Sequence, residues 1–490
     1  MADKYKVIHV IGGGEFGGAE EHILQLLSQF PEHGIEGKVV CFYDAAFSRA
    51  LRERRIAVEV LKYGRFDPRL LRGLEELFRR ERPAVIHTHG VKANFFARLA
   101  ARKLSGIPLV TTVHSILRHD YANLLAYTGA RWMEMSTRRW NTHFIAVSEA
   151  IRHALIRERV PESRITVVHH GIDTDAFRRT DPSERASGPA APAVLSSDAG
   201  SSGAGNSSAD LSDVGLSSGG LAGTDSSGAG FTSNDTSSAG SSGAGLTSHD
   251  VPSADAPGET GPSGDAGSTG VGLSGAGATI AGNSPKDLRK EWNLPDDAYV
   301  IGAVTRLVRI KCVDTVIRAV KTVSERDPRA YLVIVGTGPE EERLKRLAHE
   351  LGVHNRVRFA GFRRDIPDCL RSFDAFVSVS LSEGLGLNVL EAMATGLPAV
   401  VTGVGGVLDF ARDGENVLIV PVESADAVAD RLLRLMADRE LAGRLADTAA
   451  EHVRARFSLR SMAADTVRVY DALLGKERLS ELRQPDRSHE

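Results

Sequence analysis

Cysteine is scarce. The 490 residues hold three, Cys41, Cys312 and Cys369, far apart and without a CxxC spacing. That excludes a disulfide framework and a cysteine zinc ribbon, and it leads us to expect reduced thiols in a cytoplasmic protein. No apolar run reaches the about eighteen residues that a membrane-spanning helix needs. The opening MADKYKVIHV enters a strand-like run at once, without the longer apolar core and small-residue cleavage site of a signal peptide. Lys and Arg are missing altogether between Ala186 and Asn283, where nine acidic residues stand; elsewhere 60 basic residues face 54 acidic ones, a net of +6. A mildly basic body fits an anionic small molecule or an anionic surface. The charge is too weak and dispersed for nucleic acid, so no nucleic-acid partner is expected.

The stretch without cations is also different in composition. Residues 181–283 are dominated by Ser, Gly, Ala and Asp, repeat SSGAG at 201, 226 and 241, and contain Phe231 as their one aromatic. Such a segment cannot bury enough apolar surface to offset its chain entropy, and a disordered insert is expected. On either side, apolar runs of buried-strand type alternate with helical periodicity. YKVIHVI, KVVCFY, AVIHTH, PLVTTVH, FIAVS and ITVVHHG punctuate the first part; AYVIGAVTRL, AYLVIVGTG, VRFAG, DAFVSVS, PAVVTG and NVLIVP the second. The pattern predicts two α/β domains, each a doubly wound parallel sheet, with a ligand cleft between them.

Gly12, Gly14 and Gly17 form GxGxxG directly after the first strand, and Asp44 closes the second. That spacing is a dinucleotide-binding fingerprint and points to an oxidoreductase. Glu15, Glu20 and Glu21 argue against it, because carboxylates there compete with a pyrophosphate for the same helix N-terminus. A tight turn for close packing is the plain alternative. The reading preferred here is a glycine-rich wall approaching a ligand held mainly by the other domain.

That other domain carries EGLGLNVLE, with Glu383 before a helix and Glu391 inside it. Eight residues of helix span roughly 12 Å, about a sugar, a diphosphate and a ribose end to end. Carboxylates accept hydrogen bonds from vicinal hydroxyls, while backbone amides freed by Gly384 and Gly386 suit phosphate in the middle. AVTRLVRIK adds Arg306 and Lys311, two cations able to stabilise a leaving diphosphate. Taken alone, they read rather as surface cations on a strand-to-helix loop; paired with EGLGLNVLE, they read as functional. His114 ends a strand, where an imidazole is often only a loop hydrogen-bonder. His87 and His89 share a strand face, but no third metal ligand is evident, nor any Asp-x-Asp element; no catalytic metal is expected.

These residues resemble the retaining family 4 glycosyltransferases of the GT-B fold. TRLVRIK matches the family's Arg-x4-Lys, EGLGLNVLE its E-x7-E and VGTGPEEERL its second-domain loop and helix. GGAE, VIHTHG, TTVHS, AVSEAIR and VVHHGIDTDAF follow its first-domain pattern. The resemblance covers essentially everything outside 181–283. It implies a first, acceptor-binding domain over 1–180, completed by a C-terminal helix within 457–490, and a nucleotide-sugar domain over 284–456, with the insert at the join. It implies that Glu391 holds the nucleotide ribose, Glu383 the donor sugar, and Arg306 and Lys311 the diphosphate. His114 joins the catalytic set, and Gly17, Gly18, Gly384, Gly386 and Leu387 the donor-binding set. Two departures stand out: Cys312 replaces the usual Gly after the lysine, and His170 the usual Asn before GVD.

The implied activity is transfer of a sugar from a nucleotide-diphosphate-sugar to an acceptor hydroxyl with retention, in cell-surface glycan or glycolipid synthesis, with no cofactor. A nucleotide-sugar epimerase or phosphorylase keeps the fold but changes the reaction; an NAD-dependent oxidoreductase and a non-catalytic sugar-nucleotide binder are further alternatives. The acceptor is a sugar or a lipid-linked molecule. HDYANLLAYTGARWMEMSTRRW (119–140) mixes aromatics with Arg131, Arg138 and Arg139, and reads either as a peripheral contact with an anionic bilayer or as a partly buried helix with a solvated basic end.

Overall fold

The computed structural model describes residues 5–14, 17–63, 67–104, 106–120, 124–178 and 288–482. The expected insert, 181–283, lies outside the described residues, as does Glu15. In the first domain the strands are β1 (Tyr5–Ile11), β2 (Ile35–Cys41), β3 (Ala57–Val60), β4 (Val85–His89), β5 (Leu109–Val113), β6 (His143–Ala146) and β7 (Ile165–Val167). Its helices are α1 (Gly18–Gln29), α2 (Ala46–Glu53), α3 (Arg69–Glu81), α4 (Val91–Ala101), α5 (Leu117–Asp120), α6 (Leu124–Thr137) and α7 (Glu149–Arg157). The second domain has β8 (Tyr299–Val304), β9 (Ala330–Val335), β10 (Val357–Gly361), β11 (Ala375–Ser378), β12 (Ala399–Thr402) and β13 (Leu418–Val420). Helices α8 (Leu288–Glu291), α9 (Val313–Arg326), α10 (Glu341–Glu350), α11 (Ile366–Arg371), α12 (Leu387–Ala394), α13 (Ala425–Ala437), α14 (Arg439–Arg456) and α15 (Leu459–Leu482) complete the chain.

Both sheets are parallel, in the orders β3-β2-β1-β4-β5-β6-β7 and β10-β9-β8-β11-β12-β13. Helices cover both faces, so the strands are continuous apolar runs; every residue of β9 is buried. The strand order reverses between β1 and β4 and again between β8 and β11. At such a reversal adjacent loops leave the sheet in opposite directions and open a crevice at the strand carboxyl ends.

Helix α15 returns to the first domain. Met462, Ala463 and Tyr470 share one apolar cluster with Ile23, Leu26 and Val39, and Tyr5 Oη donates to Asp471 Oδ1 at 3.0 Å. The second domain is tied to the first at a further point: Asp409 Oδ2 accepts from Glu149 N, at the start of α7, and lies 2.8 Å from His169 Nε2. Two elements escape the hydrophobic pattern. β3 is a four-residue edge strand whose residues are partly exposed or exposed, and α2 is a short helix with an apolar stripe of Phe47 and Leu51.

Candidate active site

Both crevices contribute to a cleft of about 430 Å³ between the domains. From the first domain come Gly18, at the N-terminus of α1, and the loop after β5, which carries His114. From the second come Arg306 after β8, Lys311 before α9, and Glu383, Gly384, Gly386 and Leu387 ahead of and opening α12. The N-termini of α1 and α12 face each other: a Cβ on Gly18 would lie 3.9 Å from Leu387 Cδ1. Two helix N-termini present unpaired N–H groups and positive dipole ends to an anion held between them.

Glycine is required where the backbones approach most closely. A Cβ on Gly384 would fall 2.3 Å from the His114 carbonyl oxygen, across the domain boundary. Gly386 caps α12 in the left-handed region (φ 92°). Cys312, where the resemblance leads one to expect glycine, adopts the same kind of conformation (φ 47°, ψ 41°) at the start of α9.

Lys311 Nζ donates to Glu383 Oε1 at 2.6 Å, with the two side chains 15% and 9% exposed. The same carboxylate oxygen accepts from Ser380 Oγ at 2.7 Å, and the Ser380 carbonyl in turn accepts from Thr402 Oγ1. Asn388 Nδ2 donates to the Val304 carbonyl at 3.0 Å and so ties the first turn of α12 to the end of β8. Sequence reasoning passed over Ser380 and Asn388; each is a small polar residue at a strand or helix end, visible as functional only once its partner is known. Arg306 lines the cleft and is exposed.

Glu391 and Gly17 are not among the residues lining this cleft. Gly17 precedes α1, where its N–H donates to Glu20 Oε2 at 3.1 Å. Glu391 lies one turn into α12 and is partly buried. Loss of water around its carboxyl, and then the Glu21 carboxylate, push its pKa up to about 8. Lys62 pairs with one Asp44 oxygen, Ser48 and Arg52 hydrogen-bond the other, and together they hold its pKa far below the carboxylate range. These partners within the first domain give Asp44 a local structural role.

His114 reaches the cleft with both ring nitrogens engaged, Nε2 by His89 Nδ1 and Nδ1 by His170 Nε2, each at 3.1 Å. The third imidazole not evident beside His87 and His89 is His9, which the β1–β4 register sets opposite His87. Nitrogens of His9, His87 and His89 lie within 4.8 Å of one another, all buried.

Next to the cleft, and sharing Ala19 and His114 to Ile116 with it, is a cavity of about 360 Å³ inside the first domain. Most of its exposed wall is apolar, but charged residues line it too, among them Glu20, Lys92, Glu134, Arg138 and Glu158. Helix α6 supplies Glu134, which pairs with the fully buried Arg98 at 2.7 Å. The outer side of α6 exposes Leu124, Leu125, Trp132 and Met135 together with Arg131. Among the described residues no helix is long and apolar enough to cross a membrane.

Residues 285–452 match the family model described as glycosyl transferases group 1, and residues 16–176 that described as glycosyltransferase family 4. The chain is 39% identical over 170 residues, 35% of this chain and 49% of the relative, to the lipopolysaccharide core biosynthesis glycosyltransferase LpsE of Rhizobium meliloti. It is 33% identical over 197 residues, 38% of this chain and 46% of the relative, to the D-inositol 3-phosphate glycosyltransferase of Corynebacterium urealyticum. It thus spans about half the length of the curated relatives it matches. Among solved structures, Anabaena Alr3699/HepE in complex with UDP and glucose has a TM-score of 0.66 at 18% identity, covering 95% of this chain and 99% of that one. The sucrose-phosphate synthase of Thermosynechococcus elongatus has a TM-score of 0.64 at 16% identity, covering 96% and 99%.

Proposed function

This chain belongs to the group 1, family 4 glycosyltransferases of the GT-B fold, and on that premise we propose that it moves a sugar from a nucleotide-diphosphate-sugar to an acceptor hydroxyl with retention at the anomeric carbon. The observation that carries the reading is the Lys311–Glu383 pair, set at 2.6 Å in a cleft that two helix N-termini and Arg306 also face. The diphosphate lies against those N–H groups and the two cations. Glu383, with one oxygen committed to Lys311 and Ser380, offers the other to a sugar hydroxyl. Glu391 takes the ribose diol once closure brings the nucleotide over α12.

In the reaction the bond from the anomeric carbon to the leaving phosphate oxygen breaks and the bond to the acceptor oxygen forms on the same face. The acceptor's proton passes to the departing phosphate oxygen, so no protein nucleophile is needed. Lys311 and Arg306 meet charge that is largest in the transition state, where preorganised cations contribute most. The close approach at Gly384 and the Asp409 contacts hold the two walls of the cleft together, and domain closure over the bound donor excludes the water that would hydrolyse it.

The acceptor occupies the first-domain cavity. Its apolar walls, next to the outward apolar side of α6 and Arg131, fit a lipid-linked acceptor presented at an anionic membrane face. Alr3699/HepE is a structural neighbour that binds UDP and glucose, which makes uridine the first nucleotide to try. The test is a thermal-shift screen of nucleotide-sugars on the wild type and on Lys311→Ala. A donor that raises the melting temperature of the wild type and loses most of that effect in the variant supports the reading; no response to any nucleoside diphosphate or nucleotide-sugar overturns it.

A further inference from the structure

The buried histidines of the first domain form a connected series. His9 Nδ1 lies 3.0 Å from His89 Nε2, His89 Nδ1 is 3.1 Å from His114 Nε2, and His114 Nδ1 is 3.1 Å from His170 Nε2. Every link joins an Nδ1 to an Nε2. A neutral imidazole has one N–H and one lone pair, so each link needs a donor on one side and an acceptor on the other. Choosing the proton position on any one ring therefore dictates the rest: the neutral chain is either all Nε2–H or all Nδ1–H.

The chain ends are as informative as its links. Among the described residues, His9 Nε2 and His170 Nδ1 have no hydrogen-bond partner. With all protons on Nε2, the bare N–H is that of His9, whose ring centroid is 5.6 Å from that of Phe30. With all protons on Nδ1, the bare N–H is that of His170, whose ring stacks on His22 at 4.1 Å, above a ring whose own Nδ1 is unpartnered. The first arrangement puts the bare donor at the His9 end, away from the cleft, and leaves only a lone pair bare at the cleft end, on His170. Burial disfavours the charged rings, pushing His9 down to about 3 and His114 to about 4, and lowering His89 and His170 well below the ordinary value. His87 stands outside the chain, bonded to Tyr470 Oη at 2.6 Å and Thr112 Oγ1 at 2.7 Å.

We propose that His9, His89 and His170 are positioning residues for His114, joined with it in one neutral hydrogen-bond chain in which every ring carries its proton on Nε2. The chain locks the His114 ring, and with it the main-chain carbonyl that abuts Gly384. The proposal rests on that cleft being the site of transfer. A metal on His9, His87 and His89 is the competing use of the same rings; it would displace hydrogen bonds already made at His87 and His89.

The test uses full-length protein labelled with ¹⁵N-histidine, at neutral pH and without nucleotide. Two-bond ¹H–¹⁵N spectra should show four Nε2–H rings, assigned by the loss of each signal in single variants. One Nδ1–H ring or an imidazolium among the four overturns the proposal, as does a stoichiometric metal ion in the purified protein. A kinetic arm follows. His89→Phe removes the acceptor facing His114 Nε2–H, and kcat should fall about tenfold with the donor KM within twofold, the equivalent of one orphaned buried donor. His89→Asn, whose Oδ1 stands where Nδ1 stood, should restore kcat to within twofold. Unchanged turnover in His89→Phe, or no recovery in His89→Asn, contradicts the positioning role. The spectra need no substrate, so a failed transfer assay leaves the proton positions they report intact, and the reverse holds too.

Discussion

Replacing Glu391 by Gln should make the free protein more stable and the nucleotide complex weaker. The folded carboxyl sits at about 8 against an ordinary 4.5, chiefly through loss of water and then through Glu21. A raised acid binds its proton more tightly in the folded state. It therefore costs nothing below the ordinary value, costs more as pH rises from there, and reaches its full cost above the folded value. At pH 7 the difference amounts to about 3 kcal/mol at 1.36 kcal/mol per unit. The side chain is partly exposed, and screening reduces this to about 2 kcal/mol. Glu391→Gln removes the charge, so its melting temperature should exceed the wild type's by about 2–3 °C at pH 7, with the gap closing towards pH 5 and widening to pH 8. The ribose diol donates two hydrogen bonds and favours the carboxylate, so nucleotide binding lowers the Glu391 pKa and releases a proton. Titration calorimetry at pH 7.5 in two buffers of different ionisation enthalpy should find more than half a proton released by the wild type beyond that released by Glu391→Gln, with wild-type affinity rising from pH 6 to 8. A pH-independent melting difference, or equal proton release in both proteins, refutes the reasoning.

Glu134→Ala leaves the Arg98 guanidinium fully buried without its carboxylate, and should cost about 3–5 kcal/mol in chemical denaturation, with Glu134→Gln intermediate. In Gly384→Ala, the new Cβ meets the His114 carbonyl oxygen at 2.3 Å and must push the domains apart; kcat/KM should fall at least about tenfold, while circular dichroism stays that of the folded protein. Replacing residues 186–283 by a short Gly/Ser linker should leave melting temperature and kcat/KM nearly unchanged, because closure entropy depends only weakly on loop length and α15 joins the domains a second time. A collapse of activity in that deletion would show that the segment takes part in binding or closure.

Much of the fold was legible because parallel strands buried on both faces are short apolar runs, and these alternate with amphipathic helices. β3 was not, because Ala-Val-Glu-Val at a sheet edge is partly exposed and carries no run. The glutamates of α12 and the Arg306–Lys311 loop were legible as chemistry, but their convergence with Gly18 and His114 depends on two strand-order reversals that no local pattern encodes. For the same reason His9 went unnoticed as the neighbour of His87 and His89: β1 and β4 lie about eighty residues apart, and their register is set by packing. Cys312 was visible as a departure from the family; that its position demands a left-handed backbone was not. Helix α6 is partly buried, through Ala130, Thr137 and the Glu134–Arg98 pair, and also turns Leu124, Leu125, Trp132 and Met135 outward, so both readings of residues 119–140 keep a footing there.

Transfer at the Lys311–Glu383 cleft is decided by its products. Full-length protein is incubated in EDTA with the nucleotide-sugar that stabilises it best and with lipid-linked acceptors in anionic vesicles, and products are followed by anomeric NMR with and without acceptor. The expected result is an acceptor-dependent glycoside with the donor's anomeric configuration, equimolar nucleoside diphosphate, no free epimer or sugar phosphate, and a loss of turnover of about a hundredfold or more in Lys311→Ala. Inverted product, turnover without acceptor, activity that returns only with a divalent ion, or undiminished activity in Lys311→Ala would contradict it.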